Sequence, residues 1–249
     1  MKKSVLSLTL AVLLFAGCSP TNQEKSQGDE NTEAKVAAAA TTEETSKPVN
    51  NNSTMYPALS NYIQSVVTGM EVIPQERKNQ LKKLALFVQT KKQSSEPANL
   101  TFICTHNSRR SHMSQIWAAT AAAYYGVEAG FHTFSGGTEA TAFNPRAVAA
   151  IERAGFKVDN PGGKNPQYKV TYNENGQVME CFSKKYDDPA NASENFAAVM
   201  TCSEADKNCP FIPGASLRVP IPYVDPKEAD GTDQEAATND VFIKHADFQ

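Results

Sequence analysis

Leu100-Thr101-Phe102-Ile103-Cys104-Thr105-His106-Asn107-Ser108-Arg109-Arg110-Ser111 is the stretch on which the fold turns. Leu100 to Ile103 is a short apolar run that predicts a buried strand. A polar loop from Cys104 to Arg110 follows. Ser111 to Tyr125, rich in Ala and carrying Met113, Ile116 and Trp117, then predicts a helix that ends at Gly126. Downstream, Phe131 to Ser135 reads as a second strand with Gly136-Gly137 as its turn. Asn144 caps a helix with Pro145 at its first position, and Gly155 closes it. Tyr168 to Tyr172 and Val178 to Phe182 flank Asn173-Glu174-Asn175-Gly176, a hairpin signal. Phe196 to Thr201 predicts another buried strand, and Leu217 to Tyr223 one more, weakened by Pro220 and Pro222. Strands alternating with helices predict an α/β domain with a mainly parallel sheet. Such a sheet places its site at the C-terminal ends of its strands, where the Cys104 loop stands.

Upstream, Tyr56 to Val67 predicts a short helix. Gln75 to Lys92 predicts an amphipathic one with Leu81, Leu84, Ala85 and Val88 on its core face and a basic outer face. Ser94 to Ala98 reads as a linker. The chain begins with Lys2 and Lys3 and an uncharged apolar run, Val5 to Phe15, which fits a secretory signal and is too short to span a bilayer. Phe15-Ala16-Gly17-Cys18 resembles the bacterial lipobox, which implies cleavage before Cys18 and diacylglycerol on its thiol; Ser19 resembles an outer-membrane sorting residue. Ser19 to Thr54 has no aromatic residue and reads as a tether. The expected organisation is a signal peptide over 1–17, a lipid-anchored tether over 18–54, a helical extension over 55–98 and a catalytic domain over 99–249. The expected location is a membrane-anchored lipoprotein of the outer membrane, facing the periplasm. The 249 residues are 40% hydrophobic and carry a net charge of −3. That is enough chain for one medium core, and the mild acidity argues against non-specific nucleic-acid binding. Five cysteines are too few for a disulfide scaffold, so each needs its own account.

Cys104 to Ser111 has the form C-x5-R-S between strand and helix. Successive N–H groups in such a loop make an anion nest from Thr105, His106, Asn107, Ser108, Arg109 and Arg110, and the helix N-terminus adds positive potential. The same potential stabilises a thiolate at Cys104. Arg110 suits two oxygens of a tetrahedral oxyanion, the Ser111 hydroxyl suits the thiolate, and Asn107 tolerates a left-handed backbone. Further on, Cys202 and Cys209 stand seven apart in Cys202-Ser203-Glu204-Ala205-Asp206-Lys207-Asn208-Cys209-Pro210. Across a turn of helix they suit a redox relay; a static disulfide is the rival in an oxidising compartment. Zinc binding lacks the second Cys/His pair, and no metal site is expected. His112, His132 and His245 have no ligand spacing, Cys181 reads as a spare thiol, and Trp117, Phe134 and Phe196 read as core.

Together these motifs resemble the low-molecular-weight protein-tyrosine phosphatase superfamily, which includes the thioredoxin-coupled arsenate reductases. The resemblance covers about Asn99 to Gly231. It implies a four-stranded parallel sheet flanked by helices, here with an N-terminal helical extension and an inserted β-hairpin, and Cys104 as nucleophile. The segment from Cys202 resembles the redox segment of the arsenate reductases, which implies Cys202 as resolving thiol, Cys209 as its final partner and a thioredoxin-like reductant, with no bound cofactor. Asp225 before Pro226 resembles the superfamily's acid loop and implies a proton donor to the leaving oxygen. Arsenate reductases usually carry Gly at the position of His106 and Cys at that of Arg109; both departures add bulk or charge beside the oxyanion. Lys227 stands where the phosphatases usually carry an aromatic residue. The reading is therefore arsenate reduction through Cys104, Cys202 and Cys209. The alternatives are hydrolysis of a phosphomonoester through phospho-Cys104, and a non-catalytic oxyanion-binding lipoprotein. The superfamily normally ends in a long helix packed on the sheet; here the chain after Gly231 suggests one shortened or replaced.

Overall fold

The structure, a computed structural model, describes residues 55–246. The signal peptide, Cys18 and the tether expected from the sequence lie outside the described residues. Among those residues no helix is long and apolar enough to cross a membrane. In chain order come α1 (Pro57–Val67), α2 (Gln75–Gln93), β1 (Ala98–Cys104), α3 (Arg110–Tyr124), β2 (Phe131–Gly137) and α4 (Pro145–Ala154). Then follow β3 (Lys157–Asp159), β4 (Tyr168–Thr171), β5 (Met179–Cys181), β6 (Phe196–Met200), α5 (Ser203–Asn208), β7 (Ala215–Pro220) and α6 (Glu235–Ala246).

Four strands form the parallel sheet in the order β2-β1-β6-β7. The two central strands are buried along almost their whole length, as a sheet covered on both sides requires. The strand that ends in Pro220 takes an edge, where a missing N–H breaks no ladder. The expected hairpin is present as β4 and β5, antiparallel. A third strand, β3, pairs with β4 to complete a separate three-stranded sheet. It is only Lys157-Val158-Asp159, too short and too polar to carry a periodic signal.

Side-chain alternation along β1 sends Leu100 and Phe102 to one face and Ile103 to the other. On the first face, with Val199 and Val219, lie Leu81, Leu84, Phe87 and Val88 of α2. Phe87 takes the contact expected of Ala85, which is exposed. On the second face Ile103, Phe196, Ala198 and Met200 pack beneath Ala205 of α5 and Ile212. A third cluster joins Leu59, Ile63 and Val66 of α1 to Trp117 of α3, Ile151 of α4 and Val170 of β4. Phe134, expected in the core, is only half-buried, whereas Trp117 and Phe196 are fully so. The C-terminal helix α6 is short and packs on α3 and α4. The face of the sheet with Leu100 and Phe102 is covered instead by α2, from the other end of the chain.

Residues 55–98 are thus built into the domain. Gly155 ends α4 with φ 106°, and a Cβ there would lie 2.4 Å from the Leu59 amide nitrogen. The turn therefore demands glycine both for its conformation and for the approach of α1. Leu59→Ala should lower unfolding free energy by about 2–5 kcal/mol, the usual range for a fully buried leucine. Urea denaturation measures it, and a loss below about 0.5 kcal/mol would show α1 to be an appendage.

Candidate active site

The loop from Cys104 to Arg110 leaves the C-terminal end of β1, where Cys104 pairs in register with Gly137 of β2. Gly137 has no room for a side chain: a Cβ would stand 2.7 Å from the Asn107 nitrogen and 2.8 Å from the Thr105 oxygen. The loop carbonyls are turned outward and taken. Thr138 donates to Cys104 O (3.1 Å), Glu139 to Thr105 O (2.8 Å) and Asn144 to Ser108 O (2.8 Å). The hydroxyls of Thr141 (3.0 Å) and Ser183 (3.1 Å) donate to His106 O. The N–H groups from His106 to Arg110 have no acceptor among the described residues. Carbonyls outward with N–H groups unclaimed is the arrangement of an anion-binding concavity, and α3 begins there with its own unpaired N–H groups.

Asn107 holds this shape. It is fully buried with φ 44°, the left-handed conformation expected of it. Its Nδ2 donates to Ser111 Oγ (2.8 Å) and its Oδ1 accepts from the Lys184 amide (2.8 Å). Ser111 Oγ lies 3.1 Å from Cys104 Sγ. Because that oxygen already accepts from Asn107, its own hydrogen is left to donate to the sulfur.

The two arginines divide. Arg110 donates to Asp225 Oδ2 (2.7 Å) and to Tyr223 O (3.2 Å), which brings the expected acid-loop carboxylate onto the expected oxyanion arginine. Arg109 turns away. Its guanidinium makes a two-pronged pair with Asp230 (2.8 and 2.5 Å) and is 7% exposed. The charge expected beside the oxyanion is therefore neutralised by Asp230, whose carboxyl is held below its usual range first by its hydrogen bond from Arg109. Asp230 also lies 3.6 Å from Arg146, which pairs with Glu235 at 2.7 Å. His106 is exposed, 3.8 Å from Glu139.

Cys104, Cys202 and Cys209 are free and share one packed cluster with Ile103, Met200 and Ala205. Cys104 and Cys202 are buried; Cys209 is half-buried. Cys202 caps α5, its sulfur accepting from the Ala205 amide at 3.4 Å. It also lies 3.4 Å from Thr105 Oγ1, which donates to Glu204 Oε2 (3.2 Å). Arg218 of β7 grips the other end of α5, donating to Asp206 O (2.6 Å) and Cys209 O (3.1 Å). Cys181 stands apart, fully buried, with its thiol pushed up to about 12 by burial.

Sequence reading missed Asp230, Glu204, Ser183 and Lys184. Their roles come from chain proximity in space, and no spacing in the sequence announces them. It also left His112 without a role. His112 is stacked on Phe143 (4.3 Å between centroids) and wholly buried. Burial first, then the charge of Lys184, pushes its pKa down to about 3.

No family model matches the chain. Arsenate reductase 2 of Staphylococcus epidermidis is 30% identical over 112 residues, 45% of this chain and 66% of that protein. The chain thus spans just under two thirds of that relative. Arsenate reductase of Bacillus subtilis is 29% identical over 134 residues, 54% of this chain and 78% of that protein. A solved structure, an arsenate reductase in the phosphate binding state, is 17% identical with a TM-score of 0.39, covering 60% of this chain and 91% of that one. The chain is therefore similar to arsenate reductases over about half of its length.

The neutral His112 makes stability depend on pH with a definite sign. Its folded pKa, about 3, lies below the unfolded value of about 6.5. The unfolded chain therefore binds more protons in between, and this contribution, complete above pH 6.5, is lost as pH falls towards 3. Wild-type stability should fall below pH 6.5 with a component of up to about 1.4 kcal/mol per pH unit that His112→Phe removes. Urea midpoints of both proteins at pH 7 and pH 5 measure the difference, and equal losses would refute it.

Proposed function

We propose that this protein is a thiol-dependent arsenate reductase. The observation that carries the reading is the gathering of three free cysteines, Cys104, Cys202 and Cys209, into one cluster at the mouth of an anion-binding loop. A hydrolase needs only the first of them. The relatives named arsenate reductase support the same reading.

In the proposed cycle the unclaimed N–H groups of the loop and the spare N–H donors of Arg110 hold arsenate. The Cys104 thiolate attacks arsenic and an oxygen leaves as water, its proton supplied from the Asp225 side of the site. Cys202 then attacks the Cys104 sulfur. The S–As bond breaks with its electron pair on arsenic, arsenite departs and a Cys104–Cys202 disulfide remains. Cys209 attacks Cys202, releases Cys104 and leaves a Cys202–Cys209 disulfide. Two thiols are oxidised for each As(V) reduced to As(III). A thioredoxin-like dithiol then restores the pair, and we place the protein on the membrane through lipid at Cys18.

The last exchange has a structural requirement. Seven residues at a helical rise of ~1.5 Å put Cys202 and Cys209 about 10 Å apart, whereas a disulfide needs Cα atoms within ~4.4–6.8 Å. Helix α5 must therefore unwind, and Arg218 opposes this by holding its C-terminal carbonyls. Arg218→Ala should speed formation of the Cys202–Cys209 disulfide several-fold in rapid-quench peptide mapping; an unchanged rate would remove Arg218 from the relay.

The decisive experiment mixes the reduced full chain with arsenate in the absence of any reductant. One arsenite per chain and a Cys202–Cys209 disulfide are expected, with both lost in Cys104→Ser. Cys202→Ser should yield no arsenite. Absence of arsenite from the wild-type chain would sink the proposal. The second reading, hydrolysis of a phosphomonoester, draws on one observation, the Asp225 carboxylate 2.7 Å from Arg110 beside the loop. Cys104-dependent release of phosphate from an aryl phosphate without arsenite formation would establish it. Silence in both assays, with phosphate still bound, would leave an oxyanion-binding protein.

A further inference from the structure

Helix α2 does not close the sheet face that it covers. Between α2, α3 and the sheet runs a cleft of about 1010 Å³, at the upper end of the ~300–1,000 Å³ usual for small-molecule sites. Leu100, Phe102 and Val199 form its floor, and Leu84, Val88 and Ala118 its walls. Its length follows from the lining: Lys78 to Lys92 of α2, about 21 Å at helical rise. That is the length of a long acyl chain.

The charges at its border have one sign. Among the described residues the lining includes Lys78, Lys82 and Lys92, all from α2, and no carboxylate. Lys92 is committed at one end, donating to Val127 O (3.1 Å) and Ala129 O (2.9 Å). Lys78 and Lys82 stand one turn apart, on the same side of the helix. Lys78 makes a single contact, to Glu71 O at 3.2 Å, and Lys82 has no acceptor among the described residues. Each ammonium has three N–H donors, so donors remain free at this end.

A second observation falls at the same end. Arg77 donates to Pro222 O, just beyond β7, so the start of α2 lies at the C-terminal ends of the strands, where α3 also starts. There Ser114 of α3 lines the cleft. Its hydroxyl is buried, the residue being 4% exposed, and has no partner among the described residues. An unmet buried hydroxyl costs stability unless something polar reaches it.

We propose that this cleft binds a free long-chain carboxylate. The acyl chain lies between α2 and the sheet, and the carboxylate is held at the Lys78–Lys82 end. This ligand needs nothing from Cys104, and the inference stands whether or not the catalytic reading does.

The test titrates the full chain with 11-(dansylamino)undecanoic acid below its micelle concentration. Saturable, blue-shifted fluorescence is expected, with displacement by palmitate at least about tenfold stronger than by hexadecanol, a difference of about 1.4 kcal/mol. The double variant Lys78→Gln, Lys82→Gln should bind the probe about tenfold more weakly. Ala85→Trp, at an exposed position of α2 that borders the cleft, should block it. A urea midpoint within error of wild type establishes that each variant is folded, and the Cys104-dependent assay runs in parallel as an independent readout. Absence of saturable fluorescence would overturn the proposal. So would equal displacement by hexadecanol, which would mark an apolar site without anion recognition, or unchanged binding in both folded variants.

Discussion

A backbone forced into the left-handed region at one buried asparagine sets the geometry on which this protein depends. Asn107 takes φ 44°, which its short polar side chain tolerates better than most. That single residue reverses the loop so that carbonyls point out and amides point in. The side chain then spends its oxygen on the Lys184 amide and its nitrogen on Ser111. The first bond ties the loop to the segment after β5, and the second orients the hydroxyl that faces Cys104. Removing the amide would leave buried donors and acceptors unmet on both sides, at about 1–3 kcal/mol each. Gly137 is the complementary constraint, since any side chain there would push the loop out of that arrangement.

The charges around the loop show how its two adjacent arginines are kept from making an indiscriminate anion trap. Adjacent arginines at 109 and 110 carry the same charge, but the start of α3 sends them to different partners. Arg110 meets Asp225 on the loop after β7, and Arg109 meets Asp230 five residues later. Asp230 in turn lies near Arg146 of α4, which pairs with Glu235 of α6. The short C-terminal helix is thereby linked through charge to the first turn of α3. Such pairs gain from partial burial at the arginine end, where solvent screens less.

Much of the framework was legible because its signals are local. The apolar run before Cys104, the Asn144-Pro145 start and Gly155 end of α4, and the Asn-Glu-Asn-Gly hairpin all act within a few residues. Asn107 in a positive-φ turn was legible for the same reason. What was not legible arises from distance in the chain. Nothing in Lys157-Val158-Asp159 announces a strand, because β4 creates it. Phe87 replaces Ala85 on the core side of α2 because the sheet face, not the helix period, selects the contact. The Ser183–Lys184 strap and the Asp230 partner of Arg109 are 77 and 121 residues from the groups they serve. His112 carried no signal beyond its lack of ligand spacing, because burial is not written in its neighbours.

One small feature, the use of a thiol as a helix cap, sets an order of events. Cys202 Sγ accepts the Ala205 amide at the start of α5. In the proposed cycle the same sulfur must leave that amide to join Cys104. Losing a cap costs a helix roughly 1 kcal/mol, a large fraction of what holds six residues together. The first bond-forming step therefore loosens the very segment that keeps Cys209 at a distance, and the third thiol is released only after the second has reacted. The helix then works as an escapement: chemistry at one end advances the mechanism by one tooth at the other.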